Sequence, residues 1–341
     1  MESIRRLPVY LLLDTSESMA GPAIEAVTQG VNTLVTELRT NPLALETAYL
    51  GVITFSRDAA QIVPLTELLR FQLPTLRIRP GTALGAGLRL LSEAMQRDVI
   101  KTTAETKGDY KPLVFLLTDG QPTDEWETEA ARIKQARMAN IYAIGCGPDV
   151  DTEVLYRITD KVLVMLNLTP DAIRKFFIWL SASIQTVSTK ADASAQTDSL
   201  NLPPPPLDVI EEASRTNIRQ DGSPRQVFLH ALCGKVRQPY LMRFARRTYE
   251  NLYDAVASHR LESFEPGDEQ TMPVISASLL CGIPECPHCD NTSAAFCPSC
   301  HVIFCKSREQ QTEIVCPKCD AFLVRTEADD GTDFEITGSI G

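Results

Sequence analysis

The sequence predicts two folds in series: a doubly wound α/β unit, its mostly parallel sheet covered by helices on both faces, and then a small β-rich zinc-ribbon domain. Three observations carry this. Through residues 9–187, short continuous apolar runs alternate with amphipathic segments of helical period. A stretch of Ser, Thr, Ala and Asp follows and ends in four consecutive prolines at 203–206. Eight of the ten cysteines then fall between Cys281 and Cys319, in a region without long helical periodicity.

The apolar runs at 9–13, 48–55, 113–117, 141–144 and 162–166 lack alternation, as strands buried on both faces do. Residues 58–65 read as an antiparallel edge strand after Ser56. Residues 24–38, 83–95, 127–138 and 171–184 each place apolar side chains on one helical stripe. Four prolines in a row can neither continue a helix nor donate to a sheet. Residues 188–206 are therefore expected to be a linker between a first domain, 1–187, and a second, 207–341. Beyond it, 226–233, 239–246, 253–261 and 272–280 have strand character and lead into the cysteine-rich ribbon at 281–319.

Composition narrows the function classes. A 44% hydrophobic share over 341 residues supports packed cores. The apolar runs are far shorter than the roughly 20 residues that span a bilayer. Arg5 and Arg6 precede an apolar stretch that is short and ends in Asp14, which reads as a strand and not a leader. A cytoplasmic chain that uses no membrane is expected, and with it metal-bound cysteines in preference to disulfides. The net charge is −11, divided as −3 over residues 1–187 and −8 over 188–341. The ribbon half is the more acidic, the reverse of an electrostatic footprint for nucleic acid.

The first strand ends in Asp14-Thr15-Ser16-Glu17-Ser18, Gly81-Thr82 precedes a helix, and the 113–117 strand runs into Thr118-Asp119-Gly120. Ser16 and Ser18 also suit helix capping, and Pro22 a first helical turn. In a doubly wound sheet, however, ligands bind at the carboxyl ends of strands where strand order reverses. Asp14 and Asp119 would sit there on neighbouring strands, with Thr82 on an intervening loop. Two carboxylates and three hydroxyls form an all-oxygen donor set suited to magnesium, with manganese or calcium as alternatives. No phosphate-cradling glycine motif accompanies them.

Asp14-x-Ser16-x-Ser18, Thr82 and Asp119, in this order, resemble the metal-ion-dependent adhesion site of von Willebrand factor A domains, over roughly residues 7–187. The resemblance implies a cation whose shell is completed by an acidic residue of a partner. The opening Leu7-Pro-Val-Tyr-Leu-Leu-Leu-Asp-Thr-Ser looks like that of TerY-type proteins. That likeness implies work with a Ser/Thr kinase and a PP2C-type phosphatase in tellurite-type stress signalling. The residue between the serines is commonly glycine in such loops and is Glu17 here. It is expected to point to solvent, with capping of the ion as the alternative. Asp124 is expected to cap the helix beginning near Trp126, Asp149 and Asp151 to serve turns and caps, and Cys146 to be a small buried residue.

Cys286-Pro-His-Cys289, Cys297-Pro-Ser-Cys300 and Cys316-Pro-Lys-Cys319 have zinc-knuckle spacing, with Cys281 and Cys305 nearby. One or two zinc ions are expected, and closed thiolate coordination makes them structural. The spacing alone leaves the partition open: Cys286, Cys289, Cys297 and Cys300 form a compact ribbon by themselves. The TerY likeness implies that Cys286, Cys289, Cys316 and Cys319 hold one ion. Cys297, Cys300 and Cys305 would then hold a second with Cys281 or His301. His288 is expected to point outward, and His230 and His259 to be satisfied sheet residues. Arg237, Arg243, Arg246 and Arg247 are expected to line a solvated strand face, with contact to an acidic partner as the alternative.

No histidine precedes His230, so a histidine-dependent triad cannot be built in the first domain. No catalytic residue is assigned. The expected function is a non-enzymatic, metal-dependent protein-interaction adaptor, with Ser188, Thr189, Ser194, Thr197 and Ser199 as candidate phosphoacceptors. The alternatives are a magnesium-dependent phosphoryl hydrolase using Asp14 and Asp119, or a zinc-ribbon protein associated with nucleic acid.

Overall fold

The computed structural model describes residues 5–103, 107–119, 121–147, 150–191, 202–213, 226–247, 252–264, 274–306, 313–324, 335–337 and 339–340. The chain divides into two compact units, the first reaching Gln220 and the second starting at Asp221, with Arg77–Gly81 grouped with the second.

In the first unit, strands β1 (Leu7–Asp14), β2 (Ala48–Phe55), β3 (Ala59–Glu67), β4 (Leu113–Thr118), β5 (Asn140–Cys146), β6 (Val162–Met165) and β7 (Ile210–Glu212) form one sheet. Its order is β3-β2-β1-β4-β5-β6-β7. The interior pairs are parallel, and β3 and β7 are antiparallel edges. Strand order reverses around β1, which lies between β2 and β4. Every residue of β1, β4, β5 and β6 is buried, as their unbroken apolar runs require.

Among the described residues, six helices accompany this sheet: α1 (Pro22–Thr40), α2 (Pro42–Thr47), α3 (Leu84–Asp98), α4 (Glu127–Ala136), α5 (Thr152–Ile158) and α6 (Pro170–Ala191). Helices α3, α4 and α5 pack through Leu88, Ile133 and Leu155 onto Tyr10, Leu12, Phe55 and Val114. Helices α1, α2 and α6 pack on one another, and Gly30 admits the Phe177 ring so closely that a Cβ there would lie 2.1 Å from Cδ2. Among the described residues, no helix is long and apolar enough to cross a membrane.

The first unit extends past the end expected at residue 187. Helix α6 continues through Ala191, with Ser188 buried in it. After the prolines the chain returns: Trp179 Nε1–H donates to the Pro203 carbonyl at 2.9 Å, and β7 pairs with β6. Residues 202–213 thus fall within the first unit, with Ile210–Glu212 in its sheet, and do not form a linker to the second. The apolar pair Val209 and Ile210 drives this, since both are buried there. The short elements α2, α5 and β7 carry too little periodicity to be read in advance. Ser194, Thr197 and Ser199 lie outside the described residues, as does the side chain of Thr189.

In the second unit, β8 (Gln226–Cys233), β9 (Pro239–Arg246) and β10 (Tyr253–Arg260) form an antiparallel meander. Strand β11 (Val274–Ser276) precedes β12 (Leu280–Cys281), which joins β10, so the strand expected over 272–280 is broken by a turn at 277–279. The hairpin β13 (Ala294–Phe296) and β14 (Ile303–Cys305) adds to the edge of β8, with β14 parallel to it. A separate hairpin joins β15 (Glu313–Val315) to β16 (Phe322–Val324). Two short strands close the chain: β17 (Glu335–Thr337) pairs with β11 and β18 (Ser339–Ile340) with β8.

Candidate metal centres

The first centre forms where β1 and β4 end. Thr15 holds the loop after β1 against β2, donating from both its N–H and its hydroxyl to the Phe55 carbonyl. Ser16 N–H donates to Asp14 Oδ1 at 2.8 Å, and the hydroxyls of Ser16 and Ser18 lie 2.9 Å apart. Ser18 Oγ donates to Asp119 Oδ1 at 2.5 Å, and Thr118 Oγ1 to Asp14 Oδ2 at 2.5 Å. Neither serine side chain caps a helix; α1 has Gly21 as its N-cap, at φ 82°. The expected alternative role in capping is therefore not taken up, and both hydroxyls serve the carboxylate cluster.

Thr82 enters from the loop before α3 and is buried. Its N–H donates to Thr123 Oγ1, and its carbonyl accepts from Thr123 N–H, both at 2.9 Å. Asp124 extends this connection, its two carboxylate oxygens accepting from Gly85 N–H at 3.0 Å and Ala86 N–H at 2.9 Å. Asp124 thus caps α3 and not the helix after Trp126, because it approaches Gly85 so closely that a Cβ there would lie 3.0 Å from its Oδ2. The loop carrying Asp119 and the loop carrying Thr82 are pinned together at the carboxyl end of the sheet. Asp151 caps α5 as expected, accepting from Glu153 N–H, while Asp149 lies outside the described residues.

Glu17 departs from the expected solvent-facing position: the loop winds into a 3-10 turn over Glu17–Met19 and buries it to 3% exposure.

Electrostatics show what this cluster needs. Burial, and then the negative charge of Asp119, push the Asp14 carboxyl up to about 7, against the hydrogen bonds from Ser16 and Thr118. The same burial and the same two carboxylates raise the Cys146 thiol, which stays protonated and inert at the end of β5. A hard divalent cation reverses both penalties on Asp14, and carboxylate and hydroxyl oxygens are the donors such an ion prefers. Asp14, Ser16, Ser18 and Asp119, joined by these contacts, suit one, and Thr82 is held on the adjoining loop.

The second unit brings eight thiols into two clusters. Cys233, Cys286, Cys289 and Cys305 form one, and Cys297, Cys300, Cys316 and Cys319 the other, the sulfurs of each lying within 4.8 Å of one another. Sulfurs at 2.3 Å from a tetrahedral zinc stand about 3.8 Å apart, against about 2.05 Å in a disulfide. Cys233–Cys289 and Cys289–Cys305 are separated by 3.5 Å, and Cys297–Cys319 and Cys300–Cys316 by 3.6 Å. Both clusters fit tetrahedral thiolate coordination of zinc.

This partition corrects the one expected. Cys286 and Cys289 do not meet Cys316 and Cys319, and Cys297 and Cys300 do not meet Cys305. Cys281 and His301 join neither cluster; His301 instead stacks on Phe296, centroids 5.8 Å apart. In chain order the two sites interleave, with Cys297 and Cys300 of one falling between Cys289 and Cys305 of the other.

One turn, built four times, explains the arrangement. From Cys286, Cys297 and Cys316 the N–H bonds to the carbonyl five residues on, and the N–H four residues on returns to the cysteine carbonyl. That fourth residue takes positive φ: Asp290 60°, His301 57°, Asp320 56°. Cys233 begins the same turn, with Cys233 N–H to Gln238 O and Arg237 N–H to Cys233 O at 2.8 Å, and Arg237 at φ 58°. Its second cysteine position holds Val236, and Cys305 supplies the missing thiol from β14. Sequence reading missed Cys233 because this turn lacks the Cys-Pro-x-Cys signature; the available signal was a cysteine at a strand end followed by glycine.

Backbone donors prepare the sulfurs, with Gly234 N–H 3.3 Å from Cys305 Sγ and Lys318 N–H 3.4 Å from Cys316 Sγ. Burial still pushes the Cys305 thiol up to about 11 and Cys300 to about 12. At Cys297 burial is outweighed by the N–H groups of Cys300 and Ser299, which bring the thiol down to about 7. A bound cation supplies the charge that keeps all four sulfurs of a site as thiolates.

His288 turns inward, its Nε2 3.0 Å from the Pro239 carbonyl, because the knuckle lies against β9. The buried Nε2 of His259 has no hydrogen-bond partner among the described residues, and burial followed by the Arg243 charge favours its neutral form. Two of the four arginines form exposed ion pairs. Arg247 pairs with Asp254 through two 2.9 Å contacts, and Arg237 with Asp320 at 2.6 Å.

Residues 9–172 match the von Willebrand factor type A domain, and residues 224–341 match the TerY-C metal binding domain. No curated protein matches the chain in sequence. Among solved structures, proximal thread matrix protein 1 from the mussel byssus is 21% identical, with 54% of this chain and 49% of that one covered and a TM-score of 0.40. It has also been solved with zinc occupying its MIDAS motif, at the same identity and TM-score. The conserved hypothetical protein BatB from Bacteroides thetaiotaomicron is 18% identical, covering 51% of this chain and 97% of that one, with a TM-score of 0.37. The chain thus spans about half the length of the mussel protein. Taken together, the two matched segments make this chain a von Willebrand factor type A protein of the TerY type, with a C-terminal metal-binding domain.

Proposed function

We propose that the protein is a metal-dependent interaction adaptor and not an enzyme. The observation that carries this reading is the first centre. Two carboxylates and three hydroxyls stand at the carboxyl end of the sheet where strand order reverses, and burial and mutual repulsion have raised the Asp14 carboxyl. A divalent cation there supplies positive charge for an acidic group of a partner protein. Asp14 and Asp119 provide the charge that retains the ion, and Ser16, Ser18 and Thr82 offer neutral oxygens. The pinning of Thr82 through Thr123 keeps these donors in place. Magnesium suits this donor set best. The eight clustered thiols, as two four-sulfur zinc sites, leave no open coordination position and stiffen the second unit.

The partners we infer, from the TerY likeness, are a Ser/Thr kinase and a PP2C-type phosphatase acting in tellurite-type stress signalling. A reducing, cytoplasmic setting is inferred from the free thiols. The test is capture of these two enzymes from the native host by the zinc-loaded chain, with and without magnesium, beside Asp14→Ala. Capture that needs both magnesium and Asp14 is the expected result. Capture indifferent to both removes the metal from the mechanism, and phosphatase turnover by the purified chain that is lost in Asp14→Ala replaces the adaptor reading with a hydrolase. Chelators are avoided as the only metal control, because they also strip zinc.

A further inference from the structure

The opposite end of the same sheet carries a second set of charged groups. A cleft of about 340 Å³ opens there, lined by Lys111 ahead of β4, Lys134 and Arg137 at the end of α4, Asn140 at the start of β5, and Asp160 and Lys161 ahead of β6. Buried isoleucines 133, 141 and 158 form its apolar part. Strand β4 separates this cleft from Asp119, a span of about 20 Å.

Four cations meet one carboxylate. Lys134 is partly committed, donating to the Tyr156 carbonyl at 2.7 Å and Asp160 Oδ1 at 2.9 Å. Lys161 lies over the Tyr142 ring and reaches its hydroxyl at 3.1 Å. Lys111 and Arg137 have no hydrogen-bond or ion-pair partner among the described residues. The buried Nδ2 of Asn140 also lacks one, leaving a donor unused at 7% residue exposure. Arg137 occupies a left-handed position, φ 46° and ψ 30°, at the C-cap of α4. Glycine or asparagine is the usual choice there, so backbone preference does not account for an arginine. Burial, and then the charge of Lys111, lower the Lys161 pKa, so the cations repel one another without a matching anion.

We infer that this cleft is a binding site for a phosphomonoester group, with Lys111 and Arg137 as its free cations. The dianion would settle the repulsion between Lys111 and Lys161, and guanidinium recognises phosphate with two parallel N–H donors. The volume exceeds that of inorganic phosphate, leaving room for the carbon chain of a small phosphate ester or a phosphorylated side chain along the isoleucines.

The test uses the full zinc-loaded chain in magnesium-free buffer at low salt, so that no cation at the other end of the sheet binds the probe. Inorganic phosphate is titrated in one arm and a phosphothreonine peptide, beside its unphosphorylated form, in the other. Binding is read by calorimetry and by the side-chain amide resonance of Asn140. The expected result is saturable binding of phosphate or of the phosphopeptide, weakened about tenfold or more in Lys111→Ala with Arg137→Gly. Glycine at residue 137 removes the cation while suiting the left-handed backbone, so this variant keeps the fold; Lys235→Ala, which removes one charge from the second unit, leaves affinity unchanged. Tighter binding of the phosphopeptide assigns a protein-borne phosphate, and equal affinity assigns a free one. No saturable binding in either arm, or equal affinity in the double variant, overturns the inference.

Discussion

Cys233 and Cys305 pair in register across the parallel strands β8 and β14, and each brings a thiol to the cluster that Cys286 and Cys289 complete. Cys233 opens a turn whose second thiol position is Val236, and Cys305 substitutes for that thiol from the neighbouring strand. The site therefore ties β8, the Cys286 knuckle and β14 together, and its loss releases all three.

The zinc content should follow from this pairing. Two zinc ions per chain are expected by elemental analysis. Cys233→Ser should lower the count to one, as Cys305→Ser should, while Cys281→Ser and His301→Ala leave it at two. If Cys281→Ser costs an ion and Cys233→Ser does not, the partition is wrong.

Asp124 is expected to act on the oxygen site without contributing a donor to it. Its carboxylate caps α3 through Gly85 and Ala86, directly beyond Thr82. Asp124→Ala should destabilise the first unit by about 1 kcal/mol, the ordinary cost of a lost cap. It should also weaken magnesium binding by loosening the Thr82 loop. Asp124→Asn, which keeps one acceptor, should recover most of both. Thermal melts and a magnesium titration separate the two effects, and unchanged magnesium affinity in Asp124→Ala would confine the residue to capping.

The first sheet was legible because its strands are buried on both faces, so runs such as residues 48–55 and 113–117 declare themselves without context. The approach of Asp14, Ser16, Ser18 and Asp119 was legible for a related reason: Asp14 ends β1, and Asp119 follows the end of the neighbouring β4. What escaped depends on contacts remote in sequence. Strand β7 has three residues and is defined by pairing with β6. Burial of Glu17 depends on the 3-10 turn that carries it inward. The zinc partition was misread because each Cys-x-x-Cys pair specifies two ligands and not which pair completes the site. That choice is made by β14 lying against β8, which brings Cys305 to Cys233, some seventy residues away in sequence.

Gly30 should tolerate no side chain. A Cβ would lie 2.1 Å from Cδ2 and 2.5 Å from Cε2 of Phe177, whose ring is buried between α1 and α6. Gly30→Ala gains helix propensity but overpacks this contact, so a net loss of about 1–3 kcal/mol is expected in denaturant unfolding. Adding Phe177→Leu should return part of that loss, since the pair shares one space. A neutral or stabilising Gly30→Ala would mean that α1 and α6 separate readily.

The Asp14 carboxyl gives the first centre a pH dependence of definite sign. Raised to about 7 by burial and by Asp119, it holds its proton in the folded, metal-free chain where the unfolded chain has lost it. Between about pH 4 and 7 the folded state therefore binds more protons at this residue, and its contribution to stability falls as pH rises. Magnesium opposes the trend, because the cation and the proton compete for one carboxylate and affinity climbs toward pH 7 before levelling. Other groups titrate in the same window, so the readout is the difference between the parent chain and Asp14→Asn. The expected result is that the metal-free parent loses stability relative to Asp14→Asn as pH rises from 5 to 7. The magnesium-induced rise in the parent's Tm should grow over the same interval and be absent from the variant. Parallel pH profiles for the two proteins would place the Asp14 carboxyl in the ordinary range and remove the electrostatic case for a cation at this site.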